Sequence, residues 1–358
     1  MLHLAQMTTM TKSLLEVSWQ VPESEYRQDP ALSYSTIATY ERGGFNGLPH
    51  LFDKVDTPSL TFGSAVDCII TDGMDAFNER FLVLDFTITD SGMNVGKKLA
   101  ELYKDTYKTF EEIPEDVVSD VAKEVGFWKD PKWDKRRYSE VLKTGDISIY
   151  YTALLSEDKV ILDNATYIQV LNAVEALKTS PATKEYFAPN NPFNTEIERF
   201  YQLKFKTTLH GITYRCMFDE LIVNHKNKTI QPVDLKTSSH YEWDFYLSFV
   251  KWNYQIQSRL YARILKDVLS RDPYFSQFTI LPYHFIVVNK ITLTPLVWIF
   301  EGTFQEGTIT LGQQSQIQLR DPEEIGKELY EYLKDSPKVP KGINEYGLNS
   351  LFTYLSKL

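Results

Sequence analysis

The chain has few of the residues on which several classes of enzyme depend. Only two cysteines, Cys68 and Cys216, occur in 358 residues, too few for a disulfide framework or for a four-cysteine zinc or iron–sulfur site. The six histidines are scattered without ligand spacing, and the sequence contains neither an H-E-x-x-H zinc helix nor a G-x-S-x-G nucleophile elbow. These absences argue against zinc hydrolases and serine hydrolases, and both cysteines are expected to be reduced core residues.

Long apolar runs and an excess of positive charge are also lacking. No run of about 18 apolar residues occurs, and the N-terminus lacks a cationic start followed by an apolar stretch, so we expect no membrane span, no secretory signal and a cytoplasmic location. The net charge of -10 argues against a surface that coats nucleic acid non-specifically, although it is compatible with a local basic channel. What is present, 43% hydrophobic and 24% charged residues, is globular composition.

The chain is predicted to form one domain with an insertion. Residues 1–30 are polar without periodicity and are interpreted as an N-terminal arm, and residues 311–358 as a C-terminal helical tail. Between them, residues 31–310 form the predicted domain, in which one helix is capped by Ser33 or Ser35 and a second follows the cap Thr57. Charged, mostly helical periodicity from about 90 to 185 predicts a helical insert.

A period of two replaces the helical period after this insert. The runs EIERFYQLKF, ITYRCMFDELIV and KTIQPVDLKT predict three antiparallel strands joined by short turns. Helical periodicity then covers residues 242–269, and YHFIVV and PLVWIFE predict two more strands. The chain is therefore expected to be an α+β protein, with a mixed central sheet over residues 196–301 flanked by helices.

Three charged residues stand out within these apolar strands. Strict alternation puts Met217, Asp219 and Leu221 on one face of the second strand, and Asp234 and Lys236 on one face of the third. Two carboxylates on adjacent strands repel unless a cation lies between them, and Mg²⁺ or Mn²⁺ prefers such oxygen ligands. An adjacent ammonium would then orient or deprotonate water and stabilise charge on a phosphate, which predicts metal-dependent phosphodiester hydrolysis.

The helix after the third strand adds a polar residue in an apolar position. At 100° per residue, Gln257 lies at the centre of an apolar stripe with Tyr261 one turn later, whereas Gln255 projects to the opposite side. The other members of the stripe are Tyr246, Val250, Tyr254, Leu260, Ile264 and Val268. Spacing therefore selects Gln257 as the residue that points toward the sheet.

Asp219, P-V-D-L-K ending at Lys236, and Q-x-x-x-Y from Gln257 to Tyr261 together resemble the RecB-like branch of the PD-(D/E)XK (restriction-endonuclease-like) nucleases. S-Y-S-T-I and F-G-S-A-V-D resemble more narrowly the phage and prophage RecE-like (exodeoxyribonuclease VIII-like) exonucleases, over roughly residues 30–310. The resemblance implies a Mg²⁺-dependent exonuclease, with Mn²⁺ as an alternative ion, that processes duplex DNA ends. It also implies phage-type recombination, a single-strand annealing recombinase as partner, and a homo-oligomer as one assembly.

Carried over by residue, this resemblance implies a ligand set and a catalytic group. Asp219, Asp234 and the carbonyl of Leu235 would hold the metal, Lys236 would be the catalytic lysine, and Gln257 would position it.

The same resemblance implies further, more peripheral roles. Tyr261 and Thr237 would contact DNA. Asp67 stands one turn after Gly63, where the family usually has a histidine, and an aspartate can also bind Mg²⁺. The upstream acid would be Glu198, with Glu196 left open.

A basic, aromatic segment within the insert is a candidate for DNA contact. Lys135, Arg136 and Arg137 lie beside Trp128 and Trp133, a mixture that can grip phosphates and stack on an unpaired base. The alternative is an exposed linking loop, since aspartates dilute the charge. Two alternatives to an exonuclease also stay open: a catalytically inactive DNA-binding or scaffold protein with the same fold, and a restriction-like endonuclease.

Overall fold

The computed structural model describes residues 11–51, 57–156, 159–193, 195–312 and 316–335. The chain forms two compact units: Met1–Val55 together with Ala176–Leu358, which we call the sheet unit, and Asp56–Glu175, which we call the helical unit. The helical unit overlaps the predicted insert, about 90–185, although the two have different bounds. The helices after Thr57 belong to the helical unit because they lead into a short strand, Phe81–Leu84, that pairs with Val160–Asp163, a non-local pairing that periodicity does not show.

The sheet unit is built from the following helices and strands: α1 (Glu23–Gln28), α2 (Tyr34–Gly43), β3 (Ile197–Leu209), β4 (Ile212–Asn224), β5 (Thr229–Ser238), α10 (Phe245–Lys251), α11 (Tyr254–Ser270), β6 (Thr279–Ile280), β7 (Tyr283–Asn289), β8 (Pro295–Phe300), β9 (Ile309–Leu311), β10 (Ile317–Leu319) and α12 (Pro322–Asp335). The helical unit contains α3 (Pro58–Thr71), α4 (Gly73–Arg80), β1 (Phe81–Leu84), α5 (Asp90–Tyr103), α6 (Glu115–Glu124), α7 (Arg137–Leu142), α8 (Ile147–Ser156) and β2 (Val160–Asp163). Helix α9 (Asn164–Thr179) runs from the helical unit into the sheet unit.

The central sheet has the strand order β3-β4-β5-β7-β8, and β6 pairs with β5. Strands β3, β4 and β5 form the expected antiparallel meander, β7 runs parallel to β5, and β8 is antiparallel to β7. His210 and Gly211 close the first hairpin with φ of 49° and 84°, as a two-residue turn between twisted strands requires. The expected α+β class with a mixed sheet flanked by helices is confirmed.

The helical stretch after β5 is broken, which corrects the prediction of a continuous helix over 242–269. Helix α10 ends at Lys251, and α11 begins at Tyr254. Asn253 between them has a φ of 56°, a left-handed conformation that asparagine tolerates better than most residues. The break places Tyr246 in α10, where it is exposed, and so separates it from the stripe on α11 to which the periodicity assigned it.

Helix α11 is buried on nearly all sides, which corrects the outward placement of Gln255. Gln255 is only 1% exposed, and its Oε1 accepts a hydrogen bond from Nη1 of the buried Arg259 at 3.0 Å. The guanidinium of Arg259 also donates to the carbonyls of Gln305 and Arg320. A C-terminal segment therefore covers the side of α11 that a helical wheel assigns to solvent.

That C-terminal segment packs into the sheet unit, so the described part of the predicted tail is not an appendage. Strands β9 and β10 form an antiparallel hairpin, and Ile325 and Leu329 of α12 are fully buried in the main core. Asp321 anchors the segment through Arg263, whose Nη1 lies 2.8 Å from the Asp321 carboxylate. The predicted residues beyond 335 lie outside the described part of the chain.

The predicted N-terminal arm is likewise packed where it is described, over residues 11–30. Leu14 is fully buried and Tyr26 is 3% exposed. The Trp19 amide donates to the Lys204 carbonyl of β3 at 2.7 Å, and the Arg215 guanidinium of β4 donates to the Ala31 carbonyl at 3.2 Å. Scattered apolar and aromatic residues anchor this segment, although their spacing follows no regular period.

The helical unit has a hydrophobic core of its own. Val95 and Leu99 of α5, Val118 of α6 and Val141 of α7 are fully buried in one cluster with Tyr151 of α8. Strands β1 and β2 pair in parallel. Throughout the described ranges, none of the helices combines the length and the apolar character that crossing a membrane requires.

Candidate active site

Within strand β4, the alternation of side chains between the two faces of the sheet shifts by one residue at the site. Phe218 packs edge-on against Tyr261 of α11, with ring centroids 5.3 Å apart, and Leu221 also joins the main core. Strict alternation would put these two residues on opposite faces, so the predicted pattern is wrong at this point. The reason lies in β3, where Gln202, at the ladder position between Leu203–Phe218 and Tyr201–Glu220, has a φ of 53°. This irregularity falls at Asp219.

Asp234 and Lys236 of β5 meet Gln257 of α11 just beyond Glu220–Val233, where the β4–β5 pairing ends. Asp234 is 1% exposed, and its Oδ2 forms an ion pair with Nζ of Lys236. Gln257 of α11 donates from Nε2 to Oδ1 of the same carboxylate. Asp219 is held beside them, because the Leu235 amide donates to its Oδ2 at 2.9 Å. The structure thus places Gln257 toward the sheet and brings Asp219, Asp234 and Lys236 together, and their catalytic and metal-binding roles stay predictions.

The electrostatics of the site favour a charged lysine. Burial is the largest single effect and lowers the pKa of Lys236, but the combined attraction of Asp234, Tyr254, Asp219 and Tyr34 outweighs it. The pKa is therefore raised above its ordinary value. The Lys236 ammonium also lies 4.9 Å from the centre of the Tyr254 ring, within range of a cation–π interaction. The Lys236 side chain is thus held as an ammonium cation beside Asp219 and Asp234, which we call the acidic pair.

The polar atoms at the site suit a hard cation with few protein ligands. No group of three or more histidine, cysteine, aspartate or glutamate side chains that could hold a metal is found in the part of the chain that the structure describes. Mg²⁺, however, often binds through one or two carboxylates and keeps several waters. Among the described residues, Gln257 Oε1 is buried without a hydrogen-bond partner, and Asp234 Oδ2 has the Lys236 ammonium as its ion-pair partner, so an unused acceptor and a carboxylate oxygen lie near Asp219. The donor set therefore fits Mg²⁺ or Mn²⁺.

The proposed upstream acids lie elsewhere on the sheet. Glu198 is opposite Val223, four residues along β4 from Asp219, or about 13 Å at 3.3 Å per residue. Its carboxylate lies 2.7 Å from Nε2 of His225, and Glu196 pairs with Lys226 at 3.3 Å. The structure does not bring either glutamate to the acidic pair. The prediction of Glu198 used only its distance from Asp219 in sequence, whereas the pairing register of β3 with β4 decides which residues are neighbours.

Tyr261 and Thr237 have different surroundings from those expected of DNA contacts. Tyr261 is 6% exposed in the main core, and burial raises the pKa of its hydroxyl well above the ordinary value. This placement corrects its assignment as a phosphate contact. Thr237 follows Lys236 on β5 and pairs with Val288; it is partly buried, and its contact with DNA stays a prediction.

The remaining predicted residues lie in the helical unit. Asp67 is in α3, and its role as a ligand stays a prediction. Arg137 is 2% exposed and donates to the carbonyl of Trp128 at 3.0 Å and to Asp134 at 2.7 Å. Arg137 therefore closes a loop rather than presenting a cation for phosphate, which corrects that assignment. Lys135 and Arg136 are exposed, and their contact with DNA stays a prediction.

Sequence reasoning overlooked two tyrosines at the site. The ring centres of Tyr34 and Tyr254 lie 6.5 Å apart, and the Tyr34 hydroxyl donates to the carbonyl of Trp252 at 2.7 Å. Both hydroxyls have pKa values raised mainly by burial. The signal for Tyr254 was present in the sequence, because it lies three residues before Gln257 and therefore on the same helix face.

A second buried carboxylate lies on the opposite face of the same strands. Glu220 is 2% exposed and stands in a cross-strand row with Tyr201, Val233 and His284. Burial raises the pKa of Glu220 to about 8, although the guanidinium of Arg199 and the hydroxyl of Tyr201 act in the opposite direction. This carboxyl is therefore separate from the acidic pair and is held largely protonated near neutral pH.

Comparison with known proteins leaves the chain without an assigned family. No protein-family model matches it, and no curated protein matches it. Among solved structures it is similar to one from Eubacterium rectale named "Putative exonuclease", with 12% identity over 90% of this chain and 85% of that chain and a TM-score of 0.38. A similarity at this level establishes neither a shared fold nor a shared activity.

Proposed function

We propose that the chain is a metal-dependent DNA nuclease of the PD-(D/E)XK type. The observation that carries this proposal is the convergence of Asp234, Lys236 and Gln257 with Asp219, which the Leu235 amide holds at 2.9 Å. A buried salt bridge with a merely structural purpose is seldom a net source of stability. A carboxylate pair with an adjacent ammonium is instead what hydrolysis of a phosphodiester needs, because negative charge develops on the phosphoryl oxygens.

In this proposal each side chain has a distinct task. Asp219, Asp234 and the Leu235 carbonyl would hold Mg²⁺ or Mn²⁺, which when bound polarises the phosphoryl oxygen and lowers the pKa of its bound water. Lys236 remains charged beside Asp234 and stabilises the negative charge of the pentavalent phosphate. Gln257 fixes the Asp234 carboxylate through its hydrogen bond, which keeps the carboxylate oriented for its ligand.

The proposed substrate and biological setting rest on the sequence resemblance and not on the geometry of the site. We propose an exonuclease that processes duplex DNA ends in phage-type recombination, working with a single-strand annealing recombinase in the cytoplasm of the host. The support is the sequence resemblance of Asp219, P-V-D-L-K and Q-x-x-x-Y to the RecE-like exonucleases. Assembly as a homo-oligomer belongs to the same proposal.

The test is cleavage of linear and circular duplex DNA with MgCl₂, MnCl₂ or EDTA. We expect the wild-type chain to degrade the linear duplex only with a divalent ion, and Lys236→Ala to lose this activity. Lys226→Ala is the matched control. Lys226 lies in the turn between β4 and β5, away from Lys236, and forms an ion pair with Glu196.

Each result has a defined meaning. Normal cleavage by Lys236→Ala would remove Lys236 from the mechanism. Cleavage of closed circular DNA would favour the restriction-like endonuclease, and DNA binding without cleavage under any ion would favour the inactive scaffold.

A further inference from the structure

An exposed aromatic pair lies in the loop that leaves the active-site strand. Strand β5 ends at Ser238, and Tyr241 and Trp243 follow with exposed fractions of 51% and 69%. Their ring centres are 4.8 Å apart and the planes are inclined by only 11°. Two large aromatic rings that stack on each other yet stay exposed present a flat apolar surface without a partner in the described chain.

The loop is held rigidly by the hairpin between β7 and β8. Asn289 donates from Nδ2 to the His240 carbonyl at 2.8 Å, and Thr292 donates from Oγ1 to Glu242 at 3.2 Å. The Lys290 amide donates to the Ser238 carbonyl at 2.9 Å. Two of these hydrogen bonds hold the backbone just before Tyr241, and the third holds the Glu242 side chain just after it, so little ordering of the loop is needed when a ligand binds.

The pair is within reach of a nucleic-acid strand held at the active site. Tyr241 lies five residues after Lys236, at most about 18 Å along the chain. A stacked strand advances by roughly 3.4 Å per nucleotide, so this distance corresponds to about five nucleotides or fewer. The loop and the catalytic lysine thus belong to one continuous segment of the protein.

A second exposed tryptophan, Trp252, lies farther along the chain, next to cations. Trp252 immediately precedes the break before α11, and its ring has the Arg42 guanidinium at 5.4 Å and the Lys251 ammonium at 4.9 Å. Its carbonyl accepts from Tyr34, one of the tyrosines beside Lys236. Cations and aromatic rings around one site are typical of proteins that bind single-stranded nucleic acid.

We propose that Tyr241 and Trp243 form a stacking platform for unpaired bases of the DNA strand whose phosphate is held at the acidic pair. This inference rests on the proposed nuclease function and specifies its substrate as an end with unpaired nucleotides. Glu242 and Asp244 flank the rings and repel phosphates, so the platform binds the uncharged base rather than the backbone. Its contribution to affinity should therefore depend little on salt, unlike that of a phosphate contact.

The experiment measures binding in EDTA, where the proposed cleavage is off, using a duplex with a single-stranded tail and a blunt duplex. Trp243→Ala should bind the tailed duplex about 5- to 140-fold more weakly, the loss expected for one stacked base, with an unchanged slope of log Kd against log salt. Trp243→Phe should retain most of the affinity. Phe193→Ala is the control, because Phe193 is 97% exposed but precedes β3 at the other end of the sheet.

Abasic sites placed singly along the tail identify the stacked nucleotide. Loss of the base at one position should weaken binding to the wild-type chain. The same loss should leave binding to Trp243→Ala unchanged, because this variant already lacks the ring on which that base stacks. Equal Kd values for Trp243→Ala and wild type would refute the platform, as would equal sensitivity of both to every abasic position. Binding with this pattern but without cleavage in Mg²⁺ would refute the nuclease proposal and leave the platform intact.

Discussion

Replacement of Lys236 by methionine tests whether Asp234 is a buried charge that needs a cation. Asp234 is 1% exposed, and the Lys236 side chain that pairs with it is 19% exposed. Removal of one partner of a buried pair typically costs about 3–5 kcal/mol, because the other charge is left uncompensated. Lys236→Met should therefore lower the free energy of unfolding by about this amount in EDTA, as measured by urea denaturation.

The double variant Asp234→Asn/Lys236→Met is the matched control. It removes both charges while keeping an acceptor for Gln257, so we expect it to be more stable than Lys236→Met, as for replacement of both partners of a buried pair. Divalent metal should separate them further: Mg²⁺ at ~100 times its Kd stabilises a folded chain by about 2.7 kcal/mol. This gain is expected for Lys236→Met and not for the double variant.

Two results would contradict the reasoning. If Lys236→Met unfolds at the wild-type urea concentration in EDTA, Lys236 does not compensate a buried charge on Asp234. If Mg²⁺ stabilises the double variant as much as the single one, the ion binds somewhere other than the Asp234 carboxylate.

Three further predictions concern Gln257, Glu220 and Arg137. Gln257→Ala should reduce kcat/KM by about 10- to 100-fold, the usual effect of losing a group that orients a metal ligand, whereas unchanged kinetics would show that Asp234 is oriented without it. Between pH 4.5, the ordinary pKa of Glu220, and its folded pKa of about 8, the folded chain retains a proton that the unfolded chain releases. Unfolding free energy should therefore fall as pH rises, by up to about 1.4 kcal/mol per unit; Glu220→Gln should flatten this dependence in pH-dependent urea titrations, and an identical slope would contradict it. Arg137→Ala should lower the melting temperature, because the Trp128 carbonyl loses its donor, but leave the salt slope of DNA binding unchanged; a slope reduced by about 1 would show a phosphate contact after all.

The local sequence pattern was sufficient to predict structure where the burial of side chains follows the period of a strand or a helix. Period-two alternation located the three strands of the meander and put Asp234 and Lys236 on one face, because neighbouring positions two apart share a side of a strand. Helical spacing likewise selected Gln257, which donates to Asp234. These inferences depend only on contacts between residues close in sequence or on adjacent strands.

The same reasoning failed where distant segments determine the environment. Gln255 was placed toward solvent, yet Arg259 and the C-terminal segment enclose it. Arg137 was grouped with exposed cations, yet its guanidinium closes the Trp128–Asp134 loop. Composition and spacing cannot distinguish a phosphate-binding arginine from one that satisfies backbone carbonyls, because both are basic residues in polar stretches.

For this chain, the sequence alone determined the presence of the three meander strands and the pairing of an acid with a lysine on one face of β5. Only the tertiary structure decided the phase change at Asp219, the separation of Glu198 from the site, and the placement of Tyr34 and Tyr254 around Lys236. The physical reason is that periodicity records which side of an element avoids water. Which of those sides pack together is decided by the pairing register of the strands, by contacts between remote segments, and by residues in the left-handed conformation such as Gln202 and Asn253.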